Sequence, residues 1–384
     1  MKSIVHIVDS LAVGGRENLV VDLCNKLNKN KYKIYIILLS EDDLSISYKL
    51  DENIKLYTLP YKFNTKIGRL FFLFSFIKIK FQIESILIKI KPNIIHTHSF
   101  IHRLLIVSFS ISKFKNDVSF FHTNHTSGLY YENIGLVNKI KLLIEKIALS
   151  LLKPSLVAIS EIVQKNNIKS FNKCSKQSRY ISNGIELSKF DRLNVSSNRA
   201  NWNLDEKDIV ISYVARLSDG KNHMTLLKSI KLLINEFKNI KLMLAGEGHF
   251  EDILKSFVLV NEMTDNVKFL GSINNVPELL FITDIGVSTS EYEGFGLTLI
   301  EMMSMEVPVI VSNNLVFKNF ITHNKNGLIF SMFDSIDLSQ CIRELILNKN
   351  LRSNLISNGK SFSQNFSFDK MVASYESYYE LDYT

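Results

Sequence analysis

The sequence alternates short runs of β-branched and other apolar residues with longer amphipathic stretches, and it does so twice. In the first half, the apolar runs are residues 3–8, 32–39, 94–97, 118–122 and 155–159, and stretches such as 18–28 and 70–90 have helical spacing. In the second half, the apolar runs are residues 209–214, 240–244, 267–270, 285–287 and 307–311. Because strands joined by helix-sized crossovers pair in parallel, the pattern predicts two doubly wound α/β domains.

The polar stretch 191–203 separates the two patterns and is typical of a linker. The chain has 384 residues, of which 46% are apolar, so it can bury two cores and is not a disordered chain. We predict domain boundaries of 1–185 and 186–365. Open parallel sheets bind ligands at the carboxyl ends of their strands, so we expect a cleft there.

The net charge of +8 is distributed unevenly along the chain. Residues 1–185 hold 27 Lys+Arg and 13 Asp+Glu, while residues 186–384 hold 19 and 25. The basic half lacks the basic and aromatic pattern of a known nucleic-acid module, so we expect no nucleic-acid partner. Its segment 67–91 mixes apolar residues with lysines, which fits either core-packed helices with snorkelling lysines or a surface seated on anionic lipid.

The cellular compartment is predicted from cysteines and apolar runs. Cys24, Cys174 and Cys341 are widely spaced and form no C-x-x-C pair, which favours free thiols in a reducing cytosol. The first nine residues are more typical of a buried strand than of a signal peptide. No apolar run approaches the roughly 18 residues of a membrane span. We therefore expect a cytoplasmic protein.

Three segments are candidates for phosphate binding. Gly14-Gly15 lies at a strand-to-helix turn, where glycines let backbone approach an anion, although a tight turn alone would explain them. Arg216 and Lys221 follow the first strand of the second domain, where cations either grip phosphate oxygens or are solvated. The segment 290–301 places glycines between Glu293 and Glu301 at a helix start, whose amides could hold a diphosphate. Each Glu would then bind sugar hydroxyls, or merely favour the helix dipole.

Histidines follow two strands of the first domain. His96 and His98 end one predicted strand, and His122 and His125 end the next. Four histidines could ligate a metal, but no carboxylate or cysteine is arranged with them. We interpret the two clusters as a polar wall of the cleft.

In this order the motifs resemble the retaining GT-B glycosyltransferases called family 4, or glycosyl transferases group 1. The resemblance includes Gly14-Gly15, His96-Thr97-His98 and Arg216…Lys221. It continues through Gly246, Gly271 and the E-x7-E signature from Glu293 to Glu301 around Gly294-Phe295-Gly296. The shared order covers almost the whole chain, and in this fold the last helix, about 366–384, packs back on the first domain.

The resemblance implies a role for each matched residue. Arg216 and Lys221 would bind the donor diphosphate, assisted by the amides of Gly296, Leu297 and Thr298. Glu301 would bind the ribose, Glu293 the transferred sugar, and His98 the sugar near its reacting carbon. The remaining donor-binding positions would be Gly14, Gly15, Gly246, Gly271, Gly294 and Phe295. The family needs no metal or other cofactor, so we expect none here.

The resemblance also implies substrates and a location. The donor would be a nucleotide-sugar, with UDP the favoured base, and the acceptor a glycan on polyprenyl diphosphate in bacterial O-antigen or capsule synthesis. Such an enzyme would sit peripherally on the anionic inner face of the cytoplasmic membrane. A GT-B epimerase, a sugar phosphorylase and a non-catalytic sugar-nucleotide-binding subunit share the architecture and remain alternatives.

Overall fold

The computed structural model describes residues 1–12, 14–41, 44–60, 76–98, 101–125 and 135–381. The chain divides into an N-terminal unit, Met1–Asn183 with Asp369–Thr384, and a C-terminal unit, Gly184–Phe368. Each unit contains one parallel sheet whose strands are connected through helices. This confirms the prediction of two doubly wound α/β domains.

The N-terminal unit is built on a seven-stranded sheet. Its strands are β1 (Lys2–Val8), β2 (Tyr32–Leu38), β3 (Lys55–Thr58), β4 (Ile94–Thr97), β5 (Ser119–Asn124), β6 (Ser155–Ala158) and β7 (Ser178–Tyr180). Its helices are α1 (Gly15–Lys26), α2 (Phe76–Ile90), α3 (Ile101–Ile111), α4 (Leu136–Leu152) and α5 (Glu161–Phe171). The strands lie in the order β3-β2-β1-β4-β5-β6-β7. The direction of winding therefore reverses between β1 and β4, the point where such sheets bind ligands.

The C-terminal unit is built on a six-stranded sheet. Its strands are β8 (Ile209–Val214), β9 (Ile240–Ala245), β10 (Val267–Gly271), β11 (Ile285–Ser288), β12 (Val309–Ser312) and β13 (Leu328–Phe330). Its helices are α6 (His223–Leu233), α7 (Glu251–Val260), α8 (Val276–Ile282), α9 (Leu297–Ser304), α10 (Leu315–Phe320), α11 (Ser335–Leu347) and α12 (Lys349–Ser363). The order β10-β9-β8-β11-β12-β13 places the reversal between β8 and β11.

Continuous apolar runs explain the central strands. In β1, Ile4, Val5, Ile7 and Val8 are all fully buried, so both faces of the strand are covered. A parallel sheet with helices on both faces requires such runs instead of an alternation of apolar and polar residues. The runs of β-branched residues in the sequence therefore mark central strands that are buried on both faces.

The last helix, α13 (Phe368–Leu381), supplies part of the core of the N-terminal unit. Tyr375, Tyr378 and Tyr379 are buried in that unit. The Tyr378 hydroxyl donates a hydrogen bond of 3.2 Å to the backbone carbonyl of Leu156, and the Tyr379 ring stands edge-on to Phe121. The last helix therefore returns to the first domain, as expected. The burial of its aromatic side chains in the core of that domain holds it there.

Helix α1 begins earlier than the sequence predicts. The prediction placed its start near Asn18, whereas the helix begins at Gly15. The backbone N–H of Asn18 donates to the Gly14 carbonyl at 3.0 Å, so the first turn closes on the glycine pair. The glycines thus belong to the helix start itself, where unpaired amides are available to a ligand.

Candidate functional site

Two loops of the C-terminal unit meet where β8 and β11 end. The first loop carries Arg216 and Lys221, and the second carries Glu293. Lys221 Nζ forms an ion pair with the Glu293 carboxylate, and the two side chains are 25% and 17% exposed. The structure therefore joins two residues, predicted from separate motifs, at the switch point of the sheet. Arg216 lies on the same loop with its side chain exposed.

Buried hydroxyl groups hold the Lys221 loop in place. The Tyr213 hydroxyl donates to the Lys221 carbonyl at 2.9 Å, and Thr289 Oγ1 donates to the same carbonyl at 2.8 Å. Burial raises the pKa of Tyr213, so its hydroxyl keeps its proton and remains a donor. The backbone that carries Lys221 is thereby fixed from the side of the sheet, while its ammonium group stays accessible.

The start of α9 has the geometry of an anion site. Gly296 precedes the helix with φ of +91°, and a Cβ there would lie 2.8 Å from the Phe317 ring. The Phe295 side chain is buried and stands edge-on to Phe320, with ring centroids 5.0 Å apart. Phe295 therefore anchors the loop through its ring, which leaves its backbone as the part that a ligand could meet. Gly294, Leu297 and Thr298 border this helix start.

Glu301 lies one turn into α9 and is partly buried. Desolvation raises the pKa of its carboxyl to about 7. A carboxyl group that loses its proton near neutral pH loses its O–H donor and becomes a pure acceptor within the physiological range. It is therefore suited to accept hydrogen bonds from sugar hydroxyls once it is ionised.

Gly246 and Gly271 lie next to each other at the ends of β9 and β10. The Gly246 amide donates to the Gly271 carbonyl at 2.7 Å. Their φ angles are +138° and +64°, which lie in the region that favours glycine. The two predicted pocket glycines thus form one backbone junction, and a Cβ at Gly246 would lie 2.1 Å from the Ala215 carbonyl oxygen.

In the N-terminal unit, a buried carboxylate joins two arginines at the end of β1. Asp9 is fully buried, and its Oδ2 atom lies 3.5 Å from Arg16 and 3.2 Å from Arg103. Arg16 also binds Glu17, and a Cβ at Gly14 would lie 2.5 Å from the Glu17 carboxylate. Gly14 and Gly15 therefore lie beside a cluster of ion-paired side chains, which the glycine motif alone does not predict.

The histidines are connected by hydrogen bonds through their ring nitrogens. His96 binds the Tyr379 hydroxyl and Thr123 Oγ1, each at 2.7 Å. His98 contacts His6 at 3.1 Å and His125 at 3.0 Å. Both nitrogens of His96 and of His98 are thus engaged inside the N-terminal unit.

Metal ligation was an alternative for the histidines. Among the described residues, His6, His96 and His98 are the group whose ligand atoms lie within 4.8 Å of one another. Because both ring nitrogens of His96 already bind oxygen atoms, a metal would have to displace one of these bonds. The arrangement is that of a hydrogen-bonded polar cluster.

Burial keeps the histidine cluster uncharged. It lowers the pKa of His6 to about 3 and that of His122 to about 4. Burial also lowers the pKa of His96, His98 and His125 well below the usual value, with neighbouring histidines and Arg16 acting in the same direction. At neutral pH each imidazole therefore carries one proton, which it donates through one of its two nitrogens.

Several site residues were not predicted from the sequence. They are His6, Asp9, Arg103, Thr123 and Tyr379. An ionisable residue inside the apolar run of β1 is the signal that would have identified His6. Tyr379 gives no such signal, because its contact with His96 spans 283 positions of the chain.

Two family descriptions match the chain, one on each half. Glycosyltransferase Family 4 matches residues 13–189, and Glycosyl transferases group 1 matches residues 194–362. The chain is 27% identical to the capsular polysaccharide biosynthesis glycosyltransferase CapM of Staphylococcus aureus, over 58% of this chain and 60% of CapM. It is 26% identical to CapH of the same organism, over 82% of each. Across CapM and three other curated relatives, the chain spans 44 to 60% of the relative's length.

A solved structure shows the same fold. The Anabaena protein Alr3699/HepE, crystallised with UDP, superposes with a TM-score of 0.78 at 18% identity. The alignment covers 98% of this chain and 99% of HepE. The described residues, with both sheets and the last helix, thus follow the two-domain GT-B architecture.

Proposed function

Because the chain belongs to the group 1 glycosyltransferases of the GT-B type, we propose that it transfers a sugar from a nucleotide-diphosphate donor to a hydroxyl group of a glycan. CapM and CapH are described as capsular polysaccharide biosynthesis enzymes, which supports a glycan of a bacterial surface polysaccharide, either capsule or O-antigen. HepE was crystallised with UDP, which supports UDP as the nucleotide of the donor. The acceptor we propose is a glycan carried on polyprenyl diphosphate.

The contact between Lys221 and Glu293 is the observation that carries this proposal. A donor diphosphate would take over the ammonium group, and the released Glu293 carboxylate would accept hydroxyls of the transferred sugar. The ion pair therefore holds both groups at one place until the donor binds. Arg216 and the amides at the start of α9 complete the positive surface for the diphosphate.

We propose retention of the anomeric configuration by reaction on one face of the sugar. The bond from the anomeric carbon to the diphosphate oxygen breaks, and a bond from that carbon to the acceptor oxygen forms. The acceptor's proton passes to the departing diphosphate, which leaves as the nucleoside diphosphate. Lys221 and Arg216 stabilise its developing negative charge, which is the main catalytic contribution of this site. The same cations take the place of a metal, so EDTA should leave the rate unchanged.

The experiment that tests the function has two stages. UDP-, GDP- and dTDP-sugars are first screened by thermal shift, because a bound donor stabilises the folded state. Nucleotide release is then measured with and without a polyprenyl-diphosphate glycan. We expect release only with both substrates present. Release of free sugar without acceptor would indicate an epimerase, and dependence on inorganic phosphate a phosphorylase. Binding without any release would indicate a non-catalytic subunit.

Donor binding is expected to depend on pH through Glu301. With a carboxyl pKa of about 7, the ionised form is the minority at pH 6 and the majority at pH 8. If only the carboxylate accepts the ribose hydroxyls, the donor's Kd is about tenfold higher at pH 6 than at pH 8. Calorimetric titration with an intact UDP-sugar measures this, because its diphosphate does not titrate in that range.

The matched variant for this prediction is Glu301→Gln. Its amide has no proton to lose, so its donor Kd should be the same at both pH values. An equal pH dependence in the variant would assign the effect to another group and contradict the role of Glu301.

A surface of the N-terminal unit supports a peripheral membrane location. On α4, Leu136, Ile140, Leu143 and Ile147 are spaced along one side and are 43 to 74% exposed. The opposite side of the helix packs through Ala148 and Leu149 in the core. Exposed lysines, Lys139 and Lys141, accompany the apolar side. We call these four apolar residues the α4 stripe, and we propose that it enters an anionic membrane surface.

Helix α2 forms most of the described part of the basic segment 67–91. Residues 67–75 of that segment lie outside the described residues. Ile79, Ile83 and Leu87 are buried in the core. Ile77, Phe81 and Ile88 are exposed on the other side of the same helix. The buried side of α2 fits the interpretation as a core-packed helix, and its exposed apolar side supports the proposed seat on anionic lipid. No helix of the described residues is long and apolar enough to cross a membrane.

Co-sedimentation with vesicles tests the α4 stripe. Wild-type protein should pellet with vesicles that contain phosphatidylglycerol and remain in solution with phosphatidylcholine alone. Ile140→Glu/Leu143→Glu should reduce the bound fraction about tenfold or more, because it removes two apolar side chains and adds negative charge. Leu193→Glu, at an 89% exposed position of the C-terminal unit, is the control and should bind as wild type. Pelleting that ignores the anionic lipid would refute the proposal.

A further inference from the structure

Three histidines of the N-terminal unit form a continuous hydrogen-bonded chain. His6 Nδ1 lies 3.1 Å from His98 Nε2, and His98 Nδ1 lies 3.0 Å from His125 Nε2. The chain runs across β1, β4 and β5, which are neighbours in the sheet. We call it the histidine chain. His6 and His98 are at most 1% exposed, whereas His125 is partly exposed.

The positions of the protons in this chain are linked. Each neutral imidazole has one N–H, and each contact needs one donor and one acceptor. Only two arrangements satisfy both contacts. In the first, His6 donates to His98 and His98 donates to His125. In the second, His125 donates to His98 and His98 donates to His6.

The buried end of the chain selects between the two arrangements. His6 Nε2 is buried and has no hydrogen-bond partner among the described residues. If this nitrogen carried the proton, a buried donor would be left unpaired, which costs about 1–3 kcal/mol. A bare nitrogen lone pair there is the less costly state. His6 therefore carries its proton on Nδ1.

We propose that His6 is a positioning residue that donates from Nδ1 to His98 and fixes His98 as the tautomer protonated on Nδ1, which in turn donates to His125. The imidazole of His98 is then held from both sides in one orientation at the end of β4. Its consequence for catalysis rests on the proposed function and on the position beside the donor sugar that the family resemblance implies for His98. The tautomer itself does not depend on that function.

Nitrogen-15 NMR of histidine-labelled protein tests the direction of the chain. In the wild type, His98 should be protonated on Nδ1 and bare on Nε2. A coupling through the hydrogen bond should link His6 Nδ1 to His98 Nε2. Protonation of His98 on Nε2 would overturn the proposal. One equivalent of bound zinc, measured by elemental analysis after zinc addition, would also overturn it, since the ring nitrogens would then be ligands.

Two variants of His6 test the positioning role. His6→Phe keeps a ring but removes the donor, while His6→Asn places an amide N–H near the position of Nδ1. We expect His6→Phe to lower kcat about tenfold with the donor's KM nearly unchanged, and His6→Asn to restore most of kcat. Full kcat in a folded His6→Phe variant, or the same loss in both variants, would contradict positioning. If His6→Phe does not fold, the wild-type spectrum still tests the tautomer of His98, and His6→Asn still tests the positioning role. A wild type without transferase activity but with the expected tautomer would refute the proposed function alone.

Discussion

Lys221→Ala is expected to lower turnover by about two to three orders of magnitude while the fold stays intact. Removing a preorganised group that stabilises negative charge in the transition state has effects of this size. The variant also leaves the Glu293 carboxylate, the present partner of Lys221, without its counter-charge beside the diphosphate. The loss should therefore appear in both kcat and kcat/KM for the donor, measured as nucleotide release at saturating acceptor.

The control for this variant is Lys228→Ala on the following helix. Lys228 is exposed on α6, seven residues after Lys221. Its substitution by Ala removes the same charge without changing the site. Its turnover should be within about twofold of the wild type. Wild-type turnover in Lys221→Ala, with circular dichroism and melting unchanged, would remove Lys221 from the mechanism.

Gly246→Ala is expected to destabilise the C-terminal unit by about 2–6 kcal/mol. A Cβ at this position would lie 2.1 Å from the backbone oxygen of Ala215, and the φ angle of +138° strains any other residue. Steric overlap and backbone strain each contribute about 1–3 kcal/mol. Chemical denaturation measures the change, and the melting midpoint should fall by roughly 10 °C.

Gly135→Ala provides the comparison for this prediction. Gly135 precedes α4 with φ of −57°, and no atom of the described residues lies within 4 Å of a Cβ built there. Its effect should stay below about 1 kcal/mol, the range of a helix N-cap exchange. Equal stabilities of the two variants would show that the junction of Gly246 and Gly271 relaxes without cost.

The sequence predicted the central strands well for a physical reason. A strand covered on both faces needs a continuous apolar run, and β4 and β8 accordingly coincide with the predicted ranges. The strands that were not predicted, β3, β7 and β13, have three or four residues each and lie at sheet edges. An edge strand is paired on one side only, so its apolar signal is short and weak.

Sequence patterns did not predict the contacts between distant parts of the chain. The E-x7-E motif and Lys221 were each recognised as local patterns, but their ion pair depends on β8 and β11 being neighbours. A histidine inside an apolar strand marks His6 as unusual, but its partners become visible only when β4 is aligned beside β1, with His6 opposite His96. Register between strands is a tertiary property, which a single sequence does not state.

The tyrosines of α13 have a consequence for the order of folding during synthesis. The sheet of the N-terminal unit is complete on the ribosome once β7 has emerged, yet its core still lacks Tyr375, Tyr378 and Tyr379. Roughly half of the chain, including the entire C-terminal unit, must be translated before these side chains arrive. Domains usually fold in the order in which they are made. We therefore expect the first unit to begin folding first but to finish last, when the Tyr379 hydroxyl reaches His96.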